Sequence, residues 1–314
     1  MHIVATTSDL AAIARAVAGD KAEVHGICTG KEDPHMLQAK PSVILLARQA
    51  DLWIRIGLEL EIGWEPPILD GSRNNRIRVG AKGHLDASAC ALVLDVPQTL
   101  VTRAMGDVHP MGNPHYWLDP LNGRRIAGAI AERLALLSPA DGAVFHANAA
   151  AFQKALDERM FGASLVAAVG ADALWAKARA GTLAAFLNEP AHRGTAGGWF
   201  AAMAPLRGQK IVTYHRSWVY FAHRFGLGIA AELEPKPGVP PTASHLEEVA
   251  TAAKADGVQL ILQEPFYSTK AADQLAGKTG ARVVVVANSV GGQPEATDYL
   301  ALLDLIVRRV SGAK

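Results

Sequence analysis

Cysteine is nearly missing from this chain: 314 residues contain only Cys28 and Cys90. Two thiols cannot build a four-thiolate zinc site or a disulfide scaffold; they can pair once or stay reduced, and the sequence leaves that choice open. An excess of either charge is missing too, with 31 Lys and Arg against 30 Asp and Glu and a net charge of +1. No basic face follows from that balance, which excludes an electrostatic nucleic-acid binder. Charged residues are 19% and hydrophobic ones 50%, so the composition excludes disorder and supports a sizeable core. Arginine and lysine interrupt every apolar stretch before it reaches the roughly 20 residues that span a bilayer. The basic start and apolar stretch of about 7–15 residues that mark a signal peptide do not follow Met1. On these grounds the protein is cytoplasmic or has lost a leader.

Several reaction signatures are absent as well. No G-x-G-x-x-G follows a strand, no G-x-S-x-G elbow exists, and no H-E-x-x-H helix exists. Gly26-Ile-Cys-Thr-Gly30-Lys31 has three residues between its glycines where a phosphate loop has four, and Glu32 stands where such a loop holds Ser or Thr.

What is plentiful is histidine, eleven in all, within an alternation of short apolar runs and helical patterns. A length of 314 suggests about two domains. In the first half the strand expectations are 2–6, 23–28, 52–56, 76–79 and 91–96. Helices are expected over 9–18 behind a Ser8 cap, from Pro41, and over 120–136. Residues 138–170 read as one long Ala-rich helix, with a possible break near Gly162. An irregular insertion follows at about 171–205. The second half resumes with strands at 210–214, 228–232, 258–263 and 282–286. Its helices include 245–256 behind a Ser244/Glu247 capping box and 296–311. Strands alternating with helices imply parallel sheets covered on both faces. The fold class is therefore α/β: two lobes, 1–137 and 171–314, joined by the helix at 138–170.

In open parallel sheets, ligands collect outside the carboxyl ends of the strands. His35, His115, His215, Glu264 and Asn288 all follow strands there, shared between the two halves. Several neutral imidazoles with one carboxylate suit zinc well and manganese acceptably. A single strand-end histidine is usually just a hydrogen-bonded loop residue, so position alone leaves both readings open.

Four segments go further: Asp33-Pro-His-Met, Asn113-Pro-His-Tyr-Trp-Leu-Asp-Pro, Thr213-Tyr-His-Arg-Ser-Trp, and Glu264-Pro-Phe-Tyr followed by Thr279-Gly-Ala-Arg-Val-Val-Val-Val. They resemble the periplasmic metal-binding receptors of zinc and manganese ABC importers. The likeness runs from the first strand to the last helix and is thinnest over 162–205. It implies three ligands, His35, His115 and His215. In that family the fourth ligand is usually an Asp just after the last strand, where this sequence has Asn288; Glu264 is then preferred as the fourth, with Asn288 or a water as alternatives. The family's mobile His-rich loop is reduced here to His109, which with Asp107 is a candidate for passing metal to the site. Asp119 and Glu234 are candidates for orienting the ligating imidazoles, and Trp117 and Trp218 for walling the cleft.

The resemblance implies capture of Zn2+ or Mn2+, zinc being favoured by His at the third position, without catalysis. It implies delivery to an ABC permease in the inner membrane by a monomer in the periplasm, its signal peptide already removed. A different class uses the same residues: a zinc-dependent hydrolase with three His, an open fourth position and Glu264 as general base.

Overall fold

A computed structural model describes residues 1–102, 106 and 108–312. The first half contains β1 (His2–Ala5), α1 (Ser8–Ala18), β2 (Glu23–Gly26), α2 (Pro41–Gln49), β3 (Leu52–Arg55), α3 (Glu65–Ser72), β4 (His84–Asp86) and α4 (Pro120–Leu137). Next come α5 (Gly142–Phe161), α6 (Ala163–Val169), α7 (Ala171–Arg179), α8 (Leu183–Asn188) and α9 (Gly198–Met203). The second half has β5 (Lys210–Thr213), α10 (Val219–Phe225), β6 (Gly228–Glu232), α11 (Ala243–Ala255), β7 (Leu260–Gln263), α12 (Lys270–Thr279), β8 (Arg282–Val285) and α13 (Tyr299–Ser311). The two sheets are parallel throughout and have the same order, β2-β1-β3-β4 and β6-β5-β7-β8.

Strand residues point alternately to two faces, and each sheet uses both. Ile3 and Ile54 of the first sheet share one core with Ile211 and Leu262 of the second. Val4 and Trp53 turn the other way, onto α2 and α3. Val212 and Ile261 likewise turn outward, onto α11 and α12. One apolar core thus runs through both halves and holds the carboxyl ends of both sheets around a common crevice.

The fourth strand of the first half is His84–Asp86, which corrects the expectations at 76–79 and 91–96. Asn74 starts a short turn at Asn75–Ile77 by accepting from Arg76 N. The 91–96 segment spends its amides on side chains: Leu92 N donates to Asn122 Oδ1 and Leu94 N to Tyr220 Oη. It therefore crosses between the halves as an extended link, with no strand partner.

The expected single helix over 138–170 is two helices. α5 stops at Phe161 because Gly162 takes φ +88°, a conformation outside the helical range. Gly197 N donates to Phe161 O at 3.0 Å, so the excursion through α6, α7 and α8 leaves and rejoins the fold at one place. α5 packs on α1 and α4 of the first half and on α9. Two caps also differ from expectation. Thr7, one residue before Ser8, accepts from Leu10 N, and Thr242 accepts from His245 N in place of Ser244. Both cysteines are free, Cys28 buried and Cys90 half-buried.

Candidate metal centre

Asp33 and Asn113 each stand two residues before a histidine, with a proline between. Proline holds φ near −65° and gives no N–H, so the short acceptor side chain folds back on the histidine itself. Asp33 Oδ1 accepts from His35 N at 2.9 Å and from His35 Nδ1 at 2.7 Å. Asn113 Oδ1 repeats the pattern with His115 N at 2.9 Å and Nδ1 at 3.0 Å. Glu234 Oε2 does the same for His215 Nδ1, at 2.7 Å, from across the sheet end. A carboxylate or amide oxygen only accepts, so each Nδ1 carries the proton and each Nε2 presents its lone pair.

Those three histidines converge. One nitrogen from each of His35, His115 and His215 lies within 4.8 Å of the others, and among the described residues this is the grouping of possible metal ligands. Ring centroids are 5.2 Å apart for His35–His115 and His115–His215, and 5.5 Å for His35–His215. His109 joins from the side, its Nε2 3.1 Å from His35 Nε2. Asp107 lies outside the described residues.

Burial and mutual repulsion of the imidazoles hold His115 well below the usual histidine range and bring His109 down to about 4. Both rings are neutral at physiological pH and ready to donate electron pairs. His215 goes the other way: burial opposes its charge, but the Glu234 hydrogen bond wins and raises it. Burial also opposes the charge on Asp33, and its hydrogen bond to His35 outweighs that, keeping the carboxyl well below its ordinary range.

Glu264 sits outside the histidine group. It is fully buried, and its Oε1 accepts from Ser217 Oγ, two residues beyond His215. Burial pushes its carboxyl up to about 7. Asn288 places its backbone carbonyl on Trp117 Nε1 at 2.7 Å, while its Oδ1 is buried without a partner. Trp117 does flank the site, 5.2 Å from the His115 ring; Trp218 is packed into the core against Phe221. Of the two orienting candidates, Glu234 holds His215, and Asp119 does something else. It caps α4 and makes a buried two-pronged pair with Arg224, at 2.7 and 2.6 Å. Asp33 and Asn113 were missed, although the repeated Asx-Pro-His spacing marks them.

Contacts between the halves cluster around this segment. Asn113 Nδ2 donates to Arg216 O at 2.8 Å, Tyr299 Oη to Trp117 O at 2.5 Å, and Tyr220 Oη to Asn113 O at 2.6 Å. A cleft of about 590 Å³ opens beside the imidazoles, lined among others by Asp95, Arg216, Glu232 and Lys236. It leads from the surface to His109, His115 and His215.

Comparison with known proteins places these features in context. The profile of the family described as "Zinc-uptake complex component A periplasmic" matches residues 3–160 and 198–313. A "High-affinity zinc uptake system protein ZnuA" from Brucella abortus is 24% identical over 172 residues, 55% of this chain and 41% of that protein. A "Manganese ABC transporter substrate-binding lipoprotein PsaA" from Streptococcus pneumoniae is 29% identical over 161 residues, 50% of this chain and 48% of that one. The chain thus spans about half the length of the curated relatives it matches. Among solved structures, a zinc-bound ZnuA with residues 138–173 deleted superposes with a TM-score of 0.72 at 23% identity, covering 100% of this chain and 97% of that one. A manganese-bound periplasmic metal-binding protein from Candidatus Liberibacter asiaticus gives 0.71 at 19%, covering 99% and 98%. These likenesses establish the two-lobed fold.

Proposed function

The chain belongs to the family of the periplasmic zinc-uptake complex component A, and from that premise we propose that it captures a divalent transition metal between its lobes and passes it to an ABC permease. His35 and His115 from the first half and His215 from the second supply the primary ligands. The observation that carries this reading is the convergence, within 4.8 Å, of one nitrogen from each of three histidines whose Nδ1 atoms are held from behind. Imidazole donors suit zinc, and manganese prefers carboxylate and water, so zinc is the expected cargo.

The electrostatics support a dication. Asp33 and Glu234 stand directly behind two of the imidazoles and bring two negative charges. Together they match the charge of the ion without a carboxylate in contact with it. Glu264 in this reading is no ligand; it anchors Ser217 and through it the segment that carries His215. Capture needs no reaction, and the hydrolase alternative finds no support in a family of uptake components. The protein works outside the cytoplasm as a monomer.

Equilibrium competition with a zinc chelator tests the proposal. Wild type is expected to hold one zinc per chain, and His115→Ala and His215→Ala to lose it while keeping their far-ultraviolet circular dichroism. Equal and negligible zinc in all three proteins sinks the receptor reading.

A further inference from the structure

Asp33 and Asn113 do more than hold the two first-half histidines. Each has a second polar atom, and each directs it to the other half of the molecule. Asn113 Oδ1 accepts from His115 Nδ1, while its Nδ2 donates to Arg216 O at 2.8 Å, one residue beyond His215. Asp33 Oδ1 accepts from His35 Nδ1, while its Oδ2 accepts from Tyr267 Oη at 3.0 Å. The two links differ in kind. Arg216 contributes a backbone carbonyl, present whatever residue stands there. Tyr267 contributes a side-chain hydroxyl, which a single substitution removes.

Tyr267 follows β7 and is fixed by its own half. The buried Gln263 donates from Nε2 to Tyr267 O at 3.0 Å. The phenol ring lies flat on Tyr214, with centroids 4.2 Å apart and 13° between the planes, and Tyr214 is the residue before His215. Its centroid is 6.4 Å from that of the His215 ring. Burial, with the charges of Asp33, Glu264 and Glu234 around it, holds the hydroxyl above the ordinary tyrosine range, so it stays a donor. On the opposite side, Trp64 Nε1 donates to Pro34 O at 3.0 Å and pins the Asp33-Pro-His segment to the first half. A phenol anchored in one half thus meets a carboxylate anchored in the other, two residues from a clustered histidine.

We propose that Tyr267 is a positioning residue for metal retention: through Asp33 it orients the His35 imidazole, and it does so only while the two halves stand together. This rests on the receptor reading and deepens it, from capture to release. The torsion that turns an Asp carboxylate about its last bond is soft. Hydrogen bonds from His35 N and His35 Nδ1 on one oxygen and from Tyr267 on the other fix that torsion from both ends. Without the phenol the carboxylate is free to turn, and the imidazole turns with it. Drawing the halves apart breaks the Tyr267 contact and the Asn113–Arg216 contact in one movement. His35 and His115 then lose their fixed orientation together, and the ion is held less tightly.

Tyr267→Phe keeps the stack on Tyr214 and deletes only the hydroxyl. The measurement is the rate at which zinc leaves the protein for an excess of chelator, followed by stopped flow. The variant is expected to release zinc about tenfold faster than wild type, on the scale of losing a hydrogen bond to a charged group. Asp33→Ala is expected to release it faster as well. Adding Tyr267→Phe to Asp33→Ala is then expected to change the rate by less than about twofold, because the group through which the phenol acts has gone. Equal rates in wild type and Tyr267→Phe overturn the proposal and leave the receptor reading standing. An effect of the same size that survives in the Asp33→Ala background overturns it too, since the phenol then acts by another route. A wild type that carries no zinc overturns the receptor reading, and the proposal with it.

Discussion

Glu234 is the residue whose part in the site is easiest to isolate. Its carboxylate fixes the tautomer of His215 and is itself buried, far from solvent screening. Glu234→Gln keeps an oxygen acceptor but removes one of the two charges behind the clustered histidines. Orienting partners of this kind contribute about 10–100-fold to metal affinity. The expected result, read by chelator competition, is a loss of zinc affinity in that range with unchanged thermal stability of the metal-free protein. At this scale the sequence was informative in an uneven way. The three clustered histidines are legible because strand ends are where parallel sheets expose polar side chains, while the Asx-Pro-His spacing does not by itself say that Asp33 and Asn113 hold the imidazoles. Glu264 is the sequence's candidate for the missing charge because it follows a strand. What the sequence does not reveal is that Ser217 donates to its carboxylate, or that Asp33 and Glu234 stand directly behind His35 and His215. Those depend on where β6 and the turn after it come to lie against β5, which no local pattern encodes.

At the scale of elements, most helices and strands followed from periodicity, and the failures share a cause. The 91–96 run has strand-like residues, yet Asn122 and Tyr220, distant in sequence, take its amides. The Ala-rich run 138–170 has helical propensity throughout, and one glycine decides its end. Gly162→Ala tests that: a Cβ there must adopt φ +88° and come within 3.0 Å of Gly197 Cα. Such strained positions cost about 1–3 kcal/mol. The expected outcome is a melting temperature lowered by a few degrees with zinc affinity unchanged, since the atoms such a Cβ meets first are those of Gly197 and not of the histidines. A melting curve identical to wild type would mean that the break is not imposed by the glycine.

For the whole molecule, the decisive feature is how firmly the halves are tied. Asp119 with Arg224 forms a buried pair, and breaking such a pair by removing one partner costs about 3–5 kcal/mol. Asp9 of α1 adds a titrating tie, accepting from Val290 N at 2.9 Å. Burial raises its carboxyl from 3.8 to about 7. The folded protein therefore holds this proton where the unfolded chain has lost it. Stability from Asp9 is complete below pH 3.8 and disappears as pH rises through about 7. Asp9→Asn keeps the acceptor and cannot ionise. Relative to wild type it is expected to gain on the order of 3 kcal/mol between pH 4 and pH 8, measured as the difference in urea midpoints. A constant difference across that range would show that Asp9 titrates normally.

The meeting of Gly197 with Phe161 has a consequence for chain topology. A segment whose two ends are already joined by a hydrogen bond adds almost nothing to the closure entropy of the contacts outside it, because the path that those contacts must close does not pass through it. The excursion from α6 to α8 is thus a side loop in the strict sense. The family profile stops at 160 and restarts at 198, on either side of that junction. Length gained or lost there leaves the order of the strands, and the spacing of the three clustered histidines, where they were.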